Sequence, residues 1–548
     1  MKAMRLCLVM LITQCAGVSL SAQTFPTPGY FRRVVPRPTP PVQVPGPEGL
    51  KDFVVAGKLR LSLDDAIRLT LLNNTDVRIN QLALETSGFG VTRAYAAFDP
   101  LFTSNFSANR STTATVSQLE GALVVSSLGQ QSQSSYSQTF QTGTRTTVGF
   151  NGSRSVSNSA FLTVNPSISA NMSFSVSQPL LRNRGFFPNR APIVIAQRSL
   201  KQTRATFEAQ VQDSIQRAID QYWGVVQARE NLLVLRKSLE QAEATYAQNK
   251  RALELGALPP LDIYRSESQV ATRRVSVIQA EYQLKQLEDD FRRTIGADLD
   301  AYIRALDLEL VQPAEPSGEL LTMDSEEALK RALAKRPELE SLRLTLLNDD
   351  VNVRLAHNAL QPELSLSASY TSSGVGGNRL LDHDNDPTTP RVLVVGGLSN
   401  ALQQLSGFDF PGYGFTLTLR LPIRNRSAEA DMGTALVSKR RDLYLLRSRE
   451  QAITLEVRNA IHQLEQAKLS MAAARIARDL AIKNLEAEQR KYELGIQTIF
   501  FVLDAQTQLA SAEQGLLQAQ ISYQRAVTAV DRATASLLDR YRIHLADK

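Results

Sequence analysis

The chain of 548 residues has almost no cysteine, few histidines and one tryptophan. Both cysteines, Cys7 and Cys15, lie at the extreme N-terminus, and the four histidines are scattered. Disulfide scaffolds, zinc-thiolate sites, iron–sulfur clusters and cysteine nucleophiles are therefore excluded from the rest of the chain. The sequence also has no cofactor-binding glycine loop and no nucleophile motif. We predict a protein that is not an enzyme, with no catalytic residue, no cofactor and no metal site.

Long apolar runs are also missing, because beyond the N-terminus no stretch reaches the roughly 18 residues of a membrane-crossing helix. At the N-terminus, Lys2 and Arg5 precede the apolar run 6–12, and small residues follow up to Ala22. This pattern predicts a secretory signal peptide at 1–22. An exported chain without apolar helices is expected to enter a membrane only as a β-barrel.

The charge of the chain does not indicate a nucleic-acid partner. The net charge is +7, but the 61 lysines and arginines are interleaved with 54 acidic residues. Nucleic-acid binding requires basic residues that are segregated on one surface. We predict no nucleic-acid partner.

A proline-rich stretch follows the predicted signal peptide. Eight prolines occur between residues 25 and 47. Such a composition favours an extended, semi-rigid chain without a core of its own. We interpret residues 23–58 as an N-terminal linker.

The remainder of the chain consists of two copies of one unit. The segment 62–68 (SLDDAIR) reappears as 324–330 (DSEEALK), shifted by 262 positions, and 253–256 (LELG) reappears as 492–495 (YELG), shifted by 239. Ordered matches of this kind indicate a tandem duplication. The offset between the copies falls from 262 to 239 positions along the chain, which indicates an insertion between the strands of the first copy. The predicted repeats are 59–316 and 317–548.

Each repeat opens with a helix, at about 62–97 and 324–359, and continues into strands. Apolar and small polar residues alternate in 168–176, 364–370 and 413–421, as in transmembrane barrel strands. The polar stretch 103–178 holds Ser, Thr, Asn or Gln at 42 of 76 positions and only four charged residues, which suits a long hairpin that lines water. We predict one β-hairpin per repeat, at 100–179 and 362–422, and hence four strands per chain.

Each repeat ends in a long helical hairpin, predicted at 192–296 and 427–540. Residues that step by three and four indicate a coiled-coil stripe in the first hairpin; they are Leu232, Leu235, Leu239, Ala242, Tyr246, Asn249 and Leu253. Gly256 and Gly495 are placed at the turns of the two hairpins. Four strands cannot close a barrel alone, so the chain must form oligomers. A periplasmic adaptor or another structural coiled-coil protein remains the alternative.

Taken together, the repeats resemble the outer-membrane efflux protein family, the TolC-like channels. The paired copies, Gln178-Pro179 at a strand exit, and Tyr492 and Gly495 followed by Val502-Leu503-Asp504-Ala505 carry the resemblance over about residues 59–540. It implies a homotrimer in the outer membrane, with a 12-stranded barrel continued by a periplasmic coiled-coil α-barrel.

The same resemblance implies partners and a function. The channel would be the exit duct of a tripartite efflux or type I secretion system. It would take substrates from an inner-membrane efflux pump or ABC exporter, and a periplasmic adaptor (membrane fusion protein) would contact the tips at Gly256 and Gly495.

Four residues are expected to form the channel gate. In the family, residues at the positions of Asp262 and Tyr492 form a hydrogen bond between neighbouring hairpins that holds the entrance shut. Asp504 matches one of two pore-facing aspartates, and Phe501 replaces the other. Gln497 stands where a second, arginine-based link would be, so that ion pair is missing from this sequence.

Overall fold

The structure, a computed structural model, describes residues 44, 46–115, 122–159, 162–255, 260–316, 319–381 and 391–544. The predicted signal peptide at 1–22 and most of the linker lie outside the described residues. The chain divides into Met1–Gly46 and Pro47–Lys548. All described helices and strands belong to the second unit.

The elements of the first repeat are β1 (Val54–Val55), β2 (Lys58–Leu61), α1 (Leu63–Asn73), α2 (Thr75–Tyr95), β3 (Leu101–Ala114), β4 (Val124–Thr139), β5 (Arg145–Ser157), β6 (Val164–Pro179), α3 (Phe186–Glu254), α4 (Pro260–Thr294), α5 (Ala301–Arg304) and β7 (Asp307–Leu310). Those of the second repeat are α6 (Ser325–Lys335), α7 (Pro337–Ala359), β8 (Glu363–Leu381), β9 (Arg391–Val394), α8 (Leu398–Gly407), β10 (Phe410–Arg420), α9 (Arg426–Glu493), α10 (Ile499–Ala533) and α11 (Leu537–Arg540).

The single helix that the sequence predicts at the start of each repeat is two helices in the structure. In the first repeat the break falls at Asn74, whose side chain accepts hydrogen bonds from the backbone N–H groups of Asp76 and Val77 and so caps α2. In the second repeat it falls at Arg336, directly before Pro337, which occupies the first position of α7. The pattern of apolar residues continues across both breaks, so it does not predict where one helix ends and the next begins.

The two breaks lie at equivalent positions and make equivalent contacts. Asn74 Nδ2 donates to the carbonyl of Thr294, and Arg336 Nε donates to that of Ala533, each over 3.0 Å. Thr294 and Ala533 are the last residues of α4 and α10. In both repeats the break is thus tied to the end of the returning long helix, so the two copies share tertiary contacts as well as sequence.

A small sheet near these breaks corrects the predicted extent of the linker. Strand β2 pairs in parallel with β7 and antiparallel with β1. Leu50, Leu59 and Leu61 are buried in a core with Tyr222 and Phe291. Residues from Leu50 onward therefore belong to the folded body and not to a linker ending at residue 58, because their leucines are apolar partners for the long helices.

The large sheet has the strand order β10-β8-β6-β5-β4-β3, with β9 added beside β8. The second repeat contributes the hairpin of β8 and β10, with β9 and α8 between them. The first repeat contributes four strands where the sequence predicts a two-stranded hairpin at 100–179. The expectation of four strands per chain is thus wrong, because the polar stretch 103–178 pairs along its length instead of forming a loop.

The two faces of this sheet differ in polarity. On β10, Tyr413, Phe415, Leu417 and Leu419 point to one face and are 61–79% exposed. The intervening Gly412, Gly414 and Thr418 are half-buried. The apolar side chains of β10 are therefore exposed, whereas on β8 the same face contacts α8, where Ser372 Oγ donates to the carbonyl of Leu405.

The long helices form two antiparallel pairs, α3 with α4 and α9 with α10. Helix α3 has 69 residues and α9 has 68, which correspond to about 100 Å each. Among the described residues, no helix is both long enough and apolar enough to cross a membrane.

An ion-pair network around two buried arginines, Arg336 and Arg532, joins α7, α9 and α10 far from the helix tips. The Arg336 side chain is 1% exposed, and its Nη1 donates to Glu456 Oε2 over 2.7 Å while Nη2 donates to Glu456 Oε1. Arg532 binds Asp213 at 2.7 Å and Glu338 at 2.9 Å. Burial raises the pKa of Glu338, but the hydrogen bond and charge of Arg532 outweigh it and hold that pKa below its usual value. The network fixes the second repeat against α3.

Candidate functional site at the helix tips

The tip of the second hairpin is a turn formed around a glycine. Gly495 has φ +72°, in the left-handed region that glycine enters without strain. Its N–H donates to the carbonyl of Tyr492, and the N–H of Ile496 donates to that of Lys491, both over 2.9 Å. These two bonds define a Schellman motif, which ends α9 and starts the turn to α10. The matching glycine of the first hairpin, Gly256, lies outside the described residues.

Within the second hairpin the tip is held together by apolar contacts. Leu485 of α9 packs with residues of α10, and Tyr492 lies against this cluster; the α10 members are Ile499, Val502, Leu503, Ala505 and Leu509. Burial of several such side chains contributes about 1.5–3 kcal/mol each. The second hairpin is therefore expected to move as one unit.

Near the tip, the described contacts between the two hairpins are polar instead. Tyr492 Oη donates to Asn249 Oδ1 over 3.2 Å, and Asn249 Nδ2 donates to Ser266 Oγ over 2.6 Å. Asn249 and Ser266 are each 1% exposed. This chain of hydrogen bonds, which we call the tip network, links α9 of the second hairpin to both helices of the first.

Two further polar contacts extend the interface away from the tip. Gln506 of α10 donates to Thr245 of α3 over 3.3 Å, and Arg273 of α4 donates to Thr507 of α10 over 2.9 Å. Burial lowers the pKa of Arg273. A net hydrogen bond contributes about 1 kcal/mol, less than a buried apolar side chain. Near the tip, the interface between the hairpins is thus weaker than the contacts within the second hairpin.

The structure only partly describes the expected pair of Asp262 and Tyr492. Asp262 belongs to α4, but its side chain lies outside the described residues. The described hydrogen bond of Tyr492 joins it to Asn249, a residue that the sequence had placed on the coiled-coil stripe without a role. A polar residue at a stripe position was the signal that could have revealed it. Pairing of Tyr492 with Asp262 stays a prediction.

The other two expected gate residues lie on the exposed side of α10. Asp504 accepts a hydrogen bond from Gln508 Nε2 over 2.7 Å and lines a cleft of about 580 Å³ between α10 and α4. Phe500 and Arg265 also line this cleft, and the Arg265 guanidinium lies 6.0 Å from the centre of the Phe500 ring. Phe501 is 46% exposed and meets Phe500 edge to face. A carboxylate and an aromatic side chain are thus both accessible near the tip.

The amino-acid sequence of the chain is similar to those of known outer-membrane proteins. The family model for outer membrane efflux proteins matches residues 66–297 and 328–536. Outer membrane protein TolC of Vibrio cholerae is 21% identical over 353 residues, which are 63% of this chain and 73% of that one. The probable efflux pump outer membrane protein TtgC of Pseudomonas putida is 24% identical over 292 residues, so the chain spans about half of that relative's length.

Solved structures show the same fold. The crystal structure of the CmeC outer membrane channel of Campylobacter jejuni aligns with a TM-score of 0.60 at 16% identity and covers 91% of this chain and 94% of that one. The two successive family matches correspond to the two repeats and together span most of the chain. The chain therefore belongs to the outer membrane efflux protein family, and it is an outer-membrane protein whose long helices extend into the periplasm.

Proposed function

We propose that three copies of the chain form one transport channel across the outer membrane. The observation that carries the proposal is the large sheet, which exposes apolar side chains on β10 and whose edge strands, β3 and β10, have no further partner within the described chain. Strand β3 starts at the helix side of the sheet and β10 ends there, so the two edges run antiparallel. Edges of neighbouring copies can therefore pair and close the wall.

The helical hairpins supply the periplasmic part of the channel. Helices of about 100 Å reach far beyond the thickness of a membrane. We propose that they form a duct that receives substrates from an inner-membrane efflux pump or ABC exporter, in efflux or in type I secretion. A periplasmic adaptor would contact the exposed turns at Gly256 and Gly495. A periplasmic adaptor as the identity of this chain is disfavoured, since such a protein has one helical hairpin and this one has two.

We further propose that the tip is the gate. The tip network and the predicted bond between Asp262 and Tyr492 hold the two hairpins together, and the channel opens when they separate. Three copies of Asp504 would form a ring that attracts cations, and Phe501 would narrow the opening next to it. Weak polar contacts between hairpins and strong apolar contacts within the second one support this division into moving parts.

Single-channel currents in planar lipid bilayers test the channel and the ring together. The purified protein is expected to give discrete current steps that favour cations over anions. Asp504→Asn removes the ring's charge, so the cation preference and the block by multivalent cations are expected to weaken while the steps persist. Glu243→Gln, which removes an exposed charge on α3, serves as the control and should leave selectivity unchanged. Equal selectivity of Asp504→Asn and wild type would show that Asp504 does not face the ion path.

A further inference from the structure

Strands β4 and β5, the pair that the sequence did not predict, run the full length of the sheet. Strand β4 pairs with β3 from Ala114 to Leu101, the first residue of β3. Strand β5 pairs with β6 as far as Ser177, two residues before β6 ends. The two added strands therefore lie beside the same stretch of sheet that β3 and β6 occupy, and do not extend beyond it.

The turn between β4 and β5 lies at the helix side of the sheet. The carbonyl of Thr142 accepts a hydrogen bond from the N–H of Gly185, directly before α3, over 3.2 Å. Gly143 has φ +85°, and a Cβ at this position would lie 2.8 Å from the carbonyl oxygen of Asn183. Close packing of the turn against the start of α3 thus requires glycine. The chain travels out along β3, returns along β4 to the helices, and travels out again along β5.

We propose that all six long strands cross the membrane, so that each chain contributes six strands to the channel wall. This inference rests on the proposed function, because it concerns the wall that three copies close. Strands β3 to β6 have 13 to 16 residues each. A membrane-crossing strand needs about 9–11 residues, so each of them is long enough.

One row of aromatic and apolar side chains continues across the added strands. Cross-strand neighbours in one row are all aromatic or apolar, one from each strand; from β10 to β3 they are Tyr413, Tyr370, Phe174, Val148, Tyr136 and Phe102. Side chains in such a row share one face of the sheet. The two neighbouring rows, on the opposite face, contain only Gly, Ser and Thr apart from Leu101. In this row β4 and β5 each present an apolar side chain, Tyr136 and Val148, on the face that we propose to meet the lipid, although β4 also carries Gln130, Ser132 and Ser134 on that face.

Charged residues mark where the lipid-facing band ends. On the face of β3 that carries Phe102, the alternate positions 102, 104, 106 and 108 are uncharged, and Arg110 follows. On the same face of β5, the alternate positions 146, 148, 150 and 152 are uncharged, and Arg154 follows. Four alternate positions span roughly 20–26 Å along a strand, which is comparable to the apolar band of about 25 Å on outer-membrane barrels. An arginine on the lipid-facing side is tolerated near the membrane surface and costly at its centre.

The added hairpin changes the size of the wall without changing how it closes. Because β4 and β5 are added as a pair, the strand directions still alternate. Strands β3 and β10 of neighbouring copies can therefore still pair antiparallel. Three copies of six strands give 18 strands in place of the 12 that the family resemblance implies. Because barrel diameter grows about linearly with strand number, the pore through the membrane is about half as wide again.

Tryptophan fluorescence in vesicles tests whether β4 lies in the lipid. The native Trp223 is buried among the helices and gives a constant baseline. Tyr136→Trp and Val148→Trp place a tryptophan on the apolar face of the added strands, Gln133→Trp places one on the polar face, and Tyr413→Trp is the matched control on β10. Each trimer is reconstituted in phosphatidylcholine vesicles with or without bromine on the acyl chains. Iodide is the aqueous quencher.

We expect brominated lipid to quench the tryptophans at 136, 148 and 413 by a similar fraction, and iodide to quench that at 133. Quenching at 413 without quenching at 136 and 148 would overturn the six-strand wall and leave the proposed channel intact. Absence of lipid quenching at all of these positions, 413 included, would show that the sheet is not in the membrane, and would overturn the proposed channel as well.

Discussion

Removing the tip network should raise the open probability of the channel by about 100-fold. The variant combines Asn249→Ala with Tyr492→Phe. It deletes the described hydrogen bond that joins the hairpins at this point, from Tyr492 to Asn249, together with the bond from Asn249 to Ser266 within the first hairpin. The lost bond between the hairpins contributes about 1 kcal/mol, and the proposed trimer loses it in three copies. A total of roughly 3 kcal/mol shifts the balance between closed and open tips by about two orders of magnitude. Open time in planar-bilayer recordings measures the shift.

A polar contact within one hairpin provides the matched control for this variant. Arg274 of α4 and Glu243 of α3 form an ion pair at 2.9 Å in the same part of the first hairpin. Separation of the two hairpins leaves this pair intact, so Arg274→Ala should open the channel no more than wild type does. If the double variant has the open time of wild type, the tip network does not hold the gate. If Arg274→Ala opens the channel equally, the effect is general loosening of the tip.

The largest effect on stability is expected at Arg336. Its replacement by methionine removes the paired hydrogen bonds to Glu456 and the bond to the carbonyl of Ala533. Arg336 is 1% exposed whereas Glu456 is 47% exposed, so the expected cost is that of losing hydrogen bonds to a charged group, about 1.5–3 kcal/mol. We expect Arg336→Met to lower the melting temperature of the detergent-solubilised protein by several degrees, measured by circular dichroism of the helices.

Arg236→Met is the control for that measurement. Arg236 binds Glu281 at 2.6 Å, a distance like that of the Arg336 pair, but its side chain is 55% exposed. Exposed ion pairs contribute about 0–1 kcal/mol, so the melting temperature should barely change. Similar losses in the two variants would show that burial does not set the strength of the Arg336 pair.

The features that the sequence predicted are those that local patterns encode. The repeat of 62–68 at 324–330 indicated the duplication, and Ser62 and Asp324 cap the helices that follow them in the structure. The resemblance to TolC-like channels and the outer-membrane location are confirmed. The break at Asn74 was missed because a capping side chain interrupts the hydrogen-bond ladder without disturbing the apolar pattern.

Other features depend on contacts that are distant in sequence. Strands β4 and β5 were missed because serine, threonine and glutamine fill both faces of much of this stretch, and only pairing with β3 and β6 distinguishes them from a loop. The tip network joins Asn249, Ser266 and Tyr492 across up to 243 positions. The sequence placed Tyr492 at the gate only through the family resemblance, and it assigned Asn249 no role.

The mass of the complex extracted from outer membranes tests the central claim most directly. Three copies are required if β3 and β10 of neighbouring chains close one wall. Native mass spectrometry of the protein in mild detergent should give a single species with three times the mass of the mature chain. A stable, monodisperse monomer, or a protein that does not fractionate with the outer membrane, would contradict the account.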